Sequence, residues 1–244
     1  MKASKFVACL AACSMVSSAS AGVIKGTIVL KGDVPEPTVA VKMGDTTVKD
    51  ANICAAKTLI SEELVIDKES KGIANVFIYM PKAPSGVKFG ASETKKLILD
   101  QKNCRFVPHA MIVRTDQEVE VISSDGCAHN FHTYPIKNDP LNVLMGPNTP
   151  EGKGVKLEFA GPEILPIKVG CDIHSWMEAY WMVIDHPFAA VTNEKGEFEI
   201  QGLPDGEHTF RVWQKKAGYL EKSLKIKVKG DSEVKYEYTL KDFE

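Results

Sequence analysis

The sequence contains no His-x-His pair, and its six histidines are scattered over 244 residues. It has no apolar run long enough to cross a membrane, which takes about 20 consecutive residues; the best candidate, 6–16, falls well short. No stretch combines a sustained basic run with interleaved aromatics, so the electrostatic footprint of a nucleic-acid binder is missing. The lysines of 222–229 alternate with apolar residues and read as the solvated face of a strand. Helical periodicity of useful length is absent, as are internal repeats and low-complexity segments. No Ser/His/Asp set, P-loop or Gly-x-Gly-x-x-Gly motif stands in a supporting context. What remains is an ordinary globular composition, 44% hydrophobic and 25% charged, with 30 basic against 32 acidic residues and a net charge of −2. Such a chain can bury a sizeable core, and its length suits two sandwiches better than one.

The first residues read as an export signal. Lys2 and Lys5 form a positive start, 6–16 is a short apolar stretch, and Ala19-Ser20-Ala21 is a small-residue cleavage site before Gly22. A signal peptide over 1–21 places the protein in the periplasm or outside the cell. Leu10-Ala11-Ala12-Cys13 also fits a lipobox, which would leave the protein lipid-anchored through Cys13. Cleavage after Ala21 is preferred, because a Cys13 start leaves a very short leader.

Export changes how the cysteines are read. Cys9 and Cys13 fall in the leader, leaving Cys54, Cys104, Cys127 and Cys171 in a compartment where disulfides are the default. If one of the four is a metal ligand, one of the remaining three is odd.

From Val23 onward the pattern is strand, turn, strand. Val119 and Val121 alternate with Glu118 and Glu120; Leu224, Ile226 and Val228 alternate with lysines; Val234, Tyr236 and Tyr238 continue the same period. Turns are marked by Gly32-Asp33, Asn193-Glu194-Lys195-Gly196 and Pro204-Asp205-Gly206. The class is all-β, with sandwiches expected.

The chemistry concentrates in Cys171-Asp172-Ile173-His174-Ser175-Trp176-Met177. Cys171 ends a strand in which Ile167 and Val169 share its face, and a short loop returns His174 and Met177 toward the sulfur. Thiolate, imidazole and a soft thioether form the donor set of a blue-copper site, with Met as the long axial ligand. A structural zinc site would instead want four Cys or His ligands. The second imidazole is expected from an earlier strand, and Cys127-Ala128-His129-Asn130-Phe131-His132 supplies it after the strand at 119–123. Cys127, two residues before His129, reads as a free or bridged thiol or as an extra soft ligand. His132 could stand in for His129, but its position better suits a neighbouring or surface role. His109, His186 and His208 read as structural.

These residues carry a resemblance. His129-Asn130 upstream, followed by Cys171, His174 and Met177, resembles the cupredoxins, closest in loop spacing to the amicyanin and plastocyanin-like members; Phe106-x-Pro108 and Glu118-Val119 resemble the opening strands of that family. The stretch 188–228, with Gly202-Leu203-Pro204-Asp205-Gly206, resembles the second half of a carboxypeptidase-regulatory-like (transthyretin-like) sandwich. Gly26-Thr27-Ile28, Val34-Pro35 and Ala74-Asn75-Val76-Phe77-Ile78 resemble its first half. The whole is similar to bacterial exported proteins that join the two, some labelled methylamine-utilisation proteins. The resemblance implies a Greek-key cupredoxin sandwich over 95–186, inserted in or adjoining a transthyretin-like sandwich built from 22–94 plus 187–244. Insertion is preferred over a tandem boundary near Pro187, because the ends of a strand-connecting loop lie close together. The connection 41–72 is longer than needed and is expected to add a hairpin containing Cys54.

The resemblance also implies roles. One type 1 copper per chain would be held by His129, Cys171, His174 and Met177, with Asn130 tying the two ligand loops together by hydrogen bonds. A Cys54–Cys104 disulfide is implied as well, tying the hairpin to the first cupredoxin strand. The expected activity is single-electron transfer between redox partners such as a c-type cytochrome or a dehydrogenase, and not an enzymatic reaction. An oxidase or nitrite reductase would need further imidazoles in His-x-His pairs. The loop bearing His174 is expected to be exposed at the end of the sandwich, with Trp176 as a partner contact. The alternatives are a copper carrier or store, and a non-redox envelope binding module.

Overall fold

The computed structural model describes residues 22–244; the expected leader, with its cleavage site and Cys13, lies outside the described residues. Among the described residues regular structure is almost entirely strand, with one short helix, Ala51–Cys54, and a 3-10 turn at Leu240–Phe243. The all-β class holds. Among the described residues no helix is long and apolar enough to cross a membrane.

Two sheets frame His129, Cys171, His174 and Met177. In spatial order the first runs Asn142–Met145, His129–Tyr134, Ile167–Gly170, Glu178–Ile184 and Ala110–Arg114. The second runs Val155–Leu157, Glu118–Ser123, Lys96–Gln101 and Phe106–Val107. Pairing is antiparallel except where Glu178–Ile184 meets Ala110–Arg114 and Lys96–Gln101 meets Glu118–Ser123. Alternation along these strands sends Leu99, Phe106, Val121, Phe131, Val169 and Trp181 into one core between the sheets. Each such large side chain contributes about 1.5–3 kcal/mol by leaving water, so the frame beneath the site is well anchored.

A second pair of sheets is built from the flanking sequence. Gly22–Leu30 lies between Glu197–Leu203 and Ser232–Tyr238, facing a sheet ordered Ala189–Val191, Phe77–Tyr79, Gly206–Gln214 and Gly218–Val228. Their shared core includes Ile24, Ile28, Ile78, Phe210, Val212 and Val228. Gly26 has a steric reason to be glycine, since a Cβ there would meet the Phe198 ring at 2.3 Å. A third cluster, Phe77, Tyr79, Met182, Ile184 and Trp213, packs the Phe77–Tyr79 sheet against the Glu178–Ile184 strand.

Two features depart from the sequence reading. The segment 39–60 does form a hairpin, Val39–Val41 with Leu59–Ile60, enclosing the short helix. It packs not on the sandwich to which 22–94 is assigned but on the other one, where Val41, Cys54, Ala55 and Leu59 join the core. Strand alternation also puts Glu120 on the solvated face, yet it is fully buried. The reason is local: its carboxylate accepts hydrogen bonds from Lys96 Nζ at 3.1 Å and from the backbone N–H groups of Gly152 and Gly154.

Glu163 plays a similar part for the loop that follows the His129 strand. Its buried carboxylate accepts the backbone N–H groups of Ile136, Lys137 and Asn138, each at 3.0 Å, and the Asn138 side-chain amide at 2.8 Å. Burial raises its pKa, but the bonds from Asn138, Lys137 and Ile136 outweigh this and hold it below the ordinary 4.5. With the folded-state pKa depressed, the stabilisation is complete above the unfolded value and fades as pH falls through the folded one. Glu163→Gln is expected to cost about 2–3 kcal/mol near neutrality, measured by urea unfolding. The gap to wild type should narrow when the same titration is run in acid.

Candidate metal centre

Three predicted donors converge. The donor atoms of His129, Cys171 and His174 all lie within 4.8 Å of one another. His129 opens its strand, Cys171 directly follows Ile167–Gly170, and the two strands are antiparallel neighbours. The loop 171–177 is closed by two backbone bonds: Met177 N–H donates to the His174 carbonyl at 2.9 Å, and Cys171 N–H donates to the Met177 carbonyl at 3.1 Å. His174 is thereby brought back to the sulfur, its Nδ1 lying 3.7 Å from Cys171 Sγ. Met177 is buried in the same core cluster as Cys171. The site is closed to solvent, with His129 and His174 at 0% exposure, Met177 at 1% and Cys171 at 4%.

Asn130 spans the segments that carry His129 and Cys171. Its Oδ1 accepts the backbone N–H groups of Asp172 and Ile173 at 2.5 and 3.3 Å, while its Nδ2 donates to Asp172 Oδ2 and Asn142 Oδ1. Gln101 donates to its backbone carbonyl. One side chain thus fixes the Cys171 loop against the His129 strand.

Two carboxylates that the sequence reading did not single out set the imidazole tautomers. Asp125 Oδ2 lies 2.9 Å from His129 Nε2, and Asp50 Oδ2 lies 3.2 Å from His174 Nε2. An ionised carboxylate only accepts, so both Nε2 atoms carry hydrogen. In neutral rings both Nδ1 atoms then present lone pairs, and these face each other 2.9 Å apart. Two bare acceptors at that distance repel, and a positive charge between them removes the conflict: a proton on one ring or a metal ion. Burial lowers the pKa of His129, but the bonds to Asp125 and Cys171 more than offset this and lift it to about 9. Burial raises Cys171, but the bonds to His129 and His174 bring it down to about 6. The surroundings thus favour the thiolate form of Cys171 and a proton on His129, and the three groups are arranged as a soft trigonal donor set.

The remaining residues stand apart from this trio or at its edge. Cys127 is a buried free thiol with its sulfur 3.6 Å from His129 Nε2, and burial followed by the nearby Asp125 and Asp50 charges pushes it up to about 11. His132 lies toward the surface with Asp172, Tyr134 and Asn142. His109, His186 and His208 do not join the cluster: His186 Nδ1 accepts the Phe188 N–H, and His208 Nε2 bonds the Pro204 carbonyl. The Cys54–Cys104 disulfide is formed, with a Cα separation of 5.3 Å.

The expected exposure of the loop is corrected at His174 itself: Asp172 and Ser175 are exposed, but the imidazole is not. His174 is completely buried, because the bridge draws the 42–58 segment over the end of the sandwich and puts Asp50 against its Nε2. Trp176 is half-buried, its indole N–H donating to the Cys104 carbonyl at 3.1 Å and its ring centred 5.3 Å from that of His174. Asp50 could not have been found by spacing, since it lies 124 positions from its partner.

No family model matches the chain, and no curated protein matches it. Among solved structures, a Cu-containing nitrite reductase from Thermus scotoductus SA-01 aligns at 16% identity and TM-score 0.33, over 43% of this chain and 26% of that one. The chain therefore matches about a quarter of the reductase. The Cu(I) form of a methionine-to-alanine mutant of amicyanin aligns at 18% identity and TM-score 0.31, over 45% of this chain and 98% of its own. A purple cupredoxin from Nitrosopumilus maritimus aligns at 14% identity and TM-score 0.29, over 36% of this chain and 97% of its own.

Proposed function

We propose that the chain is an exported type 1 copper protein that holds one copper with His129, Cys171, His174 and Met177 and passes single electrons between redox partners. The observation that carries this reading is the convergence of the His129 and His174 Nδ1 atoms, 2.9 Å apart, on the buried Cys171 sulfur. Copper, when bound, supplies the one-electron chemistry by alternating between Cu(I) and Cu(II). The residues hold the donors ready and keep water out. Asp125 and Asp50 fix the rings, Asn130 fixes the loop, and the disulfide fastens the covering segment. Donors that do not have to move favour small reorganisation on electron transfer, which suits a relay. A thiolate–imidazole–thioether set also argues for retention of the metal over its carriage as exchangeable cargo. The six histidines contain no His-x-His pair from which to build an oxygen or nitrite centre.

The same proposal assigns 95–186 to the copper-binding unit and 22–94 plus 187–244 to the sandwich that carries it, in the periplasm or outside the cell. A c-type cytochrome or a dehydrogenase is the proposed partner, with Trp176 at the contact. Trp176→Glu is expected to slow electron exchange with the natural partner while copper and spectrum are kept. An unchanged rate with an intact spectrum removes Trp176 from the contact.

The axial role is tested by Met177→Leu. Leucine preserves the buried volume, so copper and colour should remain, while loss of a weak sulfur donor disfavours Cu(II) and raises the reduction potential. Potentiometric titration of the two proteins checks the sign. Complete loss of copper would place Met177 among the primary ligands of a different kind of site.

A further inference from the structure

At the Nε2 edge of His129 lies a second group of soft donors. The Cys127 sulfur is within 4.8 Å of the sulfurs of both Cys54 and Cys104, which are bonded to each other. All three cysteines are buried, at 6%, 1% and 0% exposure, and Cys127 is itself unbridged. A disulfide that only fastens a surface segment has no need of a third sulfur at its side. Three thiolates on one cation, at bonds of about 2.3 Å, stand about 4 Å from one another. Cys127 is already in range of both partners. Only the bonded pair has to part, and a Cα separation of 5.3 Å lets side-chain rotation do this.

We propose that Cys54, Cys104 and Cys127, once the bridge is reduced, form a three-sulfur site for a soft monovalent cation, Cu(I). The reductant is an exported dithiol. It gives two electrons and two protons, the Cys54–Cys104 bond breaks, two thiols form, and the dithiol closes to its own disulfide. Binding of Cu(I) then releases thiol protons to solvent. Thiolate donors select Cu(I) over hard cations. The carboxylate beside Cys104 and Cys127, that of Asp125, is already committed: it accepts the N–H groups of Asn103 and Cys104 at 2.6 and 2.7 Å as well as His129 Nε2.

The position of the site gives it a use. Reduction also releases the covalent tie of the 42–58 segment, whose Asp50 covers His174 and whose Val48, Ala51 and Ile53 pack on the core. One event therefore both creates a thiolate site and loosens the cover over a closed donor set. The three-sulfur site shares no ligand with the His129–Cys171–His174–Met177 set; the counts below rest on that set holding one copper, and the gain on reduction tests the three sulfurs separately.

The test is anaerobic titration of the protein with Cu(I) against a chromophoric Cu(I) chelator, either as the disulfide form or after reduction by a phosphine that is then removed. The disulfide form should take up one equivalent and the reduced form two. Reduced Cys127→Ser should lose the second equivalent or bind it at least about tenfold more weakly, and the Cys54→Ser/Cys104→Ser double variant should take up only one in either condition. Reduced Cys171→Ser should keep the three-sulfur equivalent, which separates this site from the first. Equal uptake by the disulfide and reduced forms overturns the proposal. So does a second tight equivalent in either reduced Cys127→Ser or the double variant, so the conclusion survives if one of them fails to fold.

Discussion

Cys171→Ser is expected to fold like the wild type and to be unable to give an intense visible absorption with copper. The sulfur is 4% exposed and serine differs from cysteine by one atom, so the packing change is small. The loop does not depend on the sulfur either, since the Cys171 N–H to Met177 carbonyl bond and the Asn130 bonds to Asp172 and Ile173 are all made by backbone groups of the loop. What is lost is the polarizable thiolate, whose charge transfer to Cu(II) is the source of such a band; a serine hydroxyl does not ionise in the same range. Circular dichroism and thermal unfolding should report a native fold, and the visible spectrum of the copper-loaded variant should be nearly blank. A blue Cys171→Ser protein would refute the assignment of the sulfur.

The second large effect is expected at Asp125. Its carboxylate is 6% exposed and holds three donors: His129 Nε2 and the backbone N–H groups of Asn103 and Cys104. Those last two residues have φ values of 55° and 52°, so two consecutive non-glycine residues sit in the left-handed region just where the disulfide begins. Such a turn is strained and persists because the surroundings fix it. Asp125→Ala removes the acceptor for both amides and frees the His129 ring. An expected loss of about 3–5 kcal/mol follows from breaking a buried charge-assisted network. Asp125→Asn keeps one acceptor oxygen and should cost roughly half as much. Urea unfolding of the three proteins measures the order. A loss below about 1 kcal/mol for the alanine variant would show that the turn does not lean on this carboxylate.

Some of this was legible from residue types and spacing alone. Cys-x2-His-x2-Met is local, so its donors could be read as one loop, and the His129 strand could be expected beside it. What spacing could not show is what tertiary packing decides. Asp50 meets His174 only because the 39–60 hairpin folds across the sandwich that holds the site, and nothing in an acidic residue beside a lysine announces that. Asp125 is four residues from His129 and could be noticed, but its pairing depends on the conformation of the intervening turn. The closed state of His174 is hidden for the same reason: the family pattern implies exposure, while the extra connection 41–72 covers that end. Glu120 shows the limit of alternation, which predicts the direction of a side chain in a regular strand but not that the loop at Gly152 and Gly154 will bury it. The sheets themselves were more predictable, because Val/Glu and Ile/Lys alternation marks individual strands, whereas the order in which strands pair is set by long-range contacts.

The most direct measurement is the absorption and electron paramagnetic resonance spectrum of the purified wild-type protein loaded with one equivalent of Cu(II). The account predicts an intense thiolate-to-copper band in the visible and a narrow parallel hyperfine splitting, both bleached by a one-electron reductant and restored on reoxidation. A colourless copper form with the wide splitting of an ordinary nitrogen and oxygen site would contradict it.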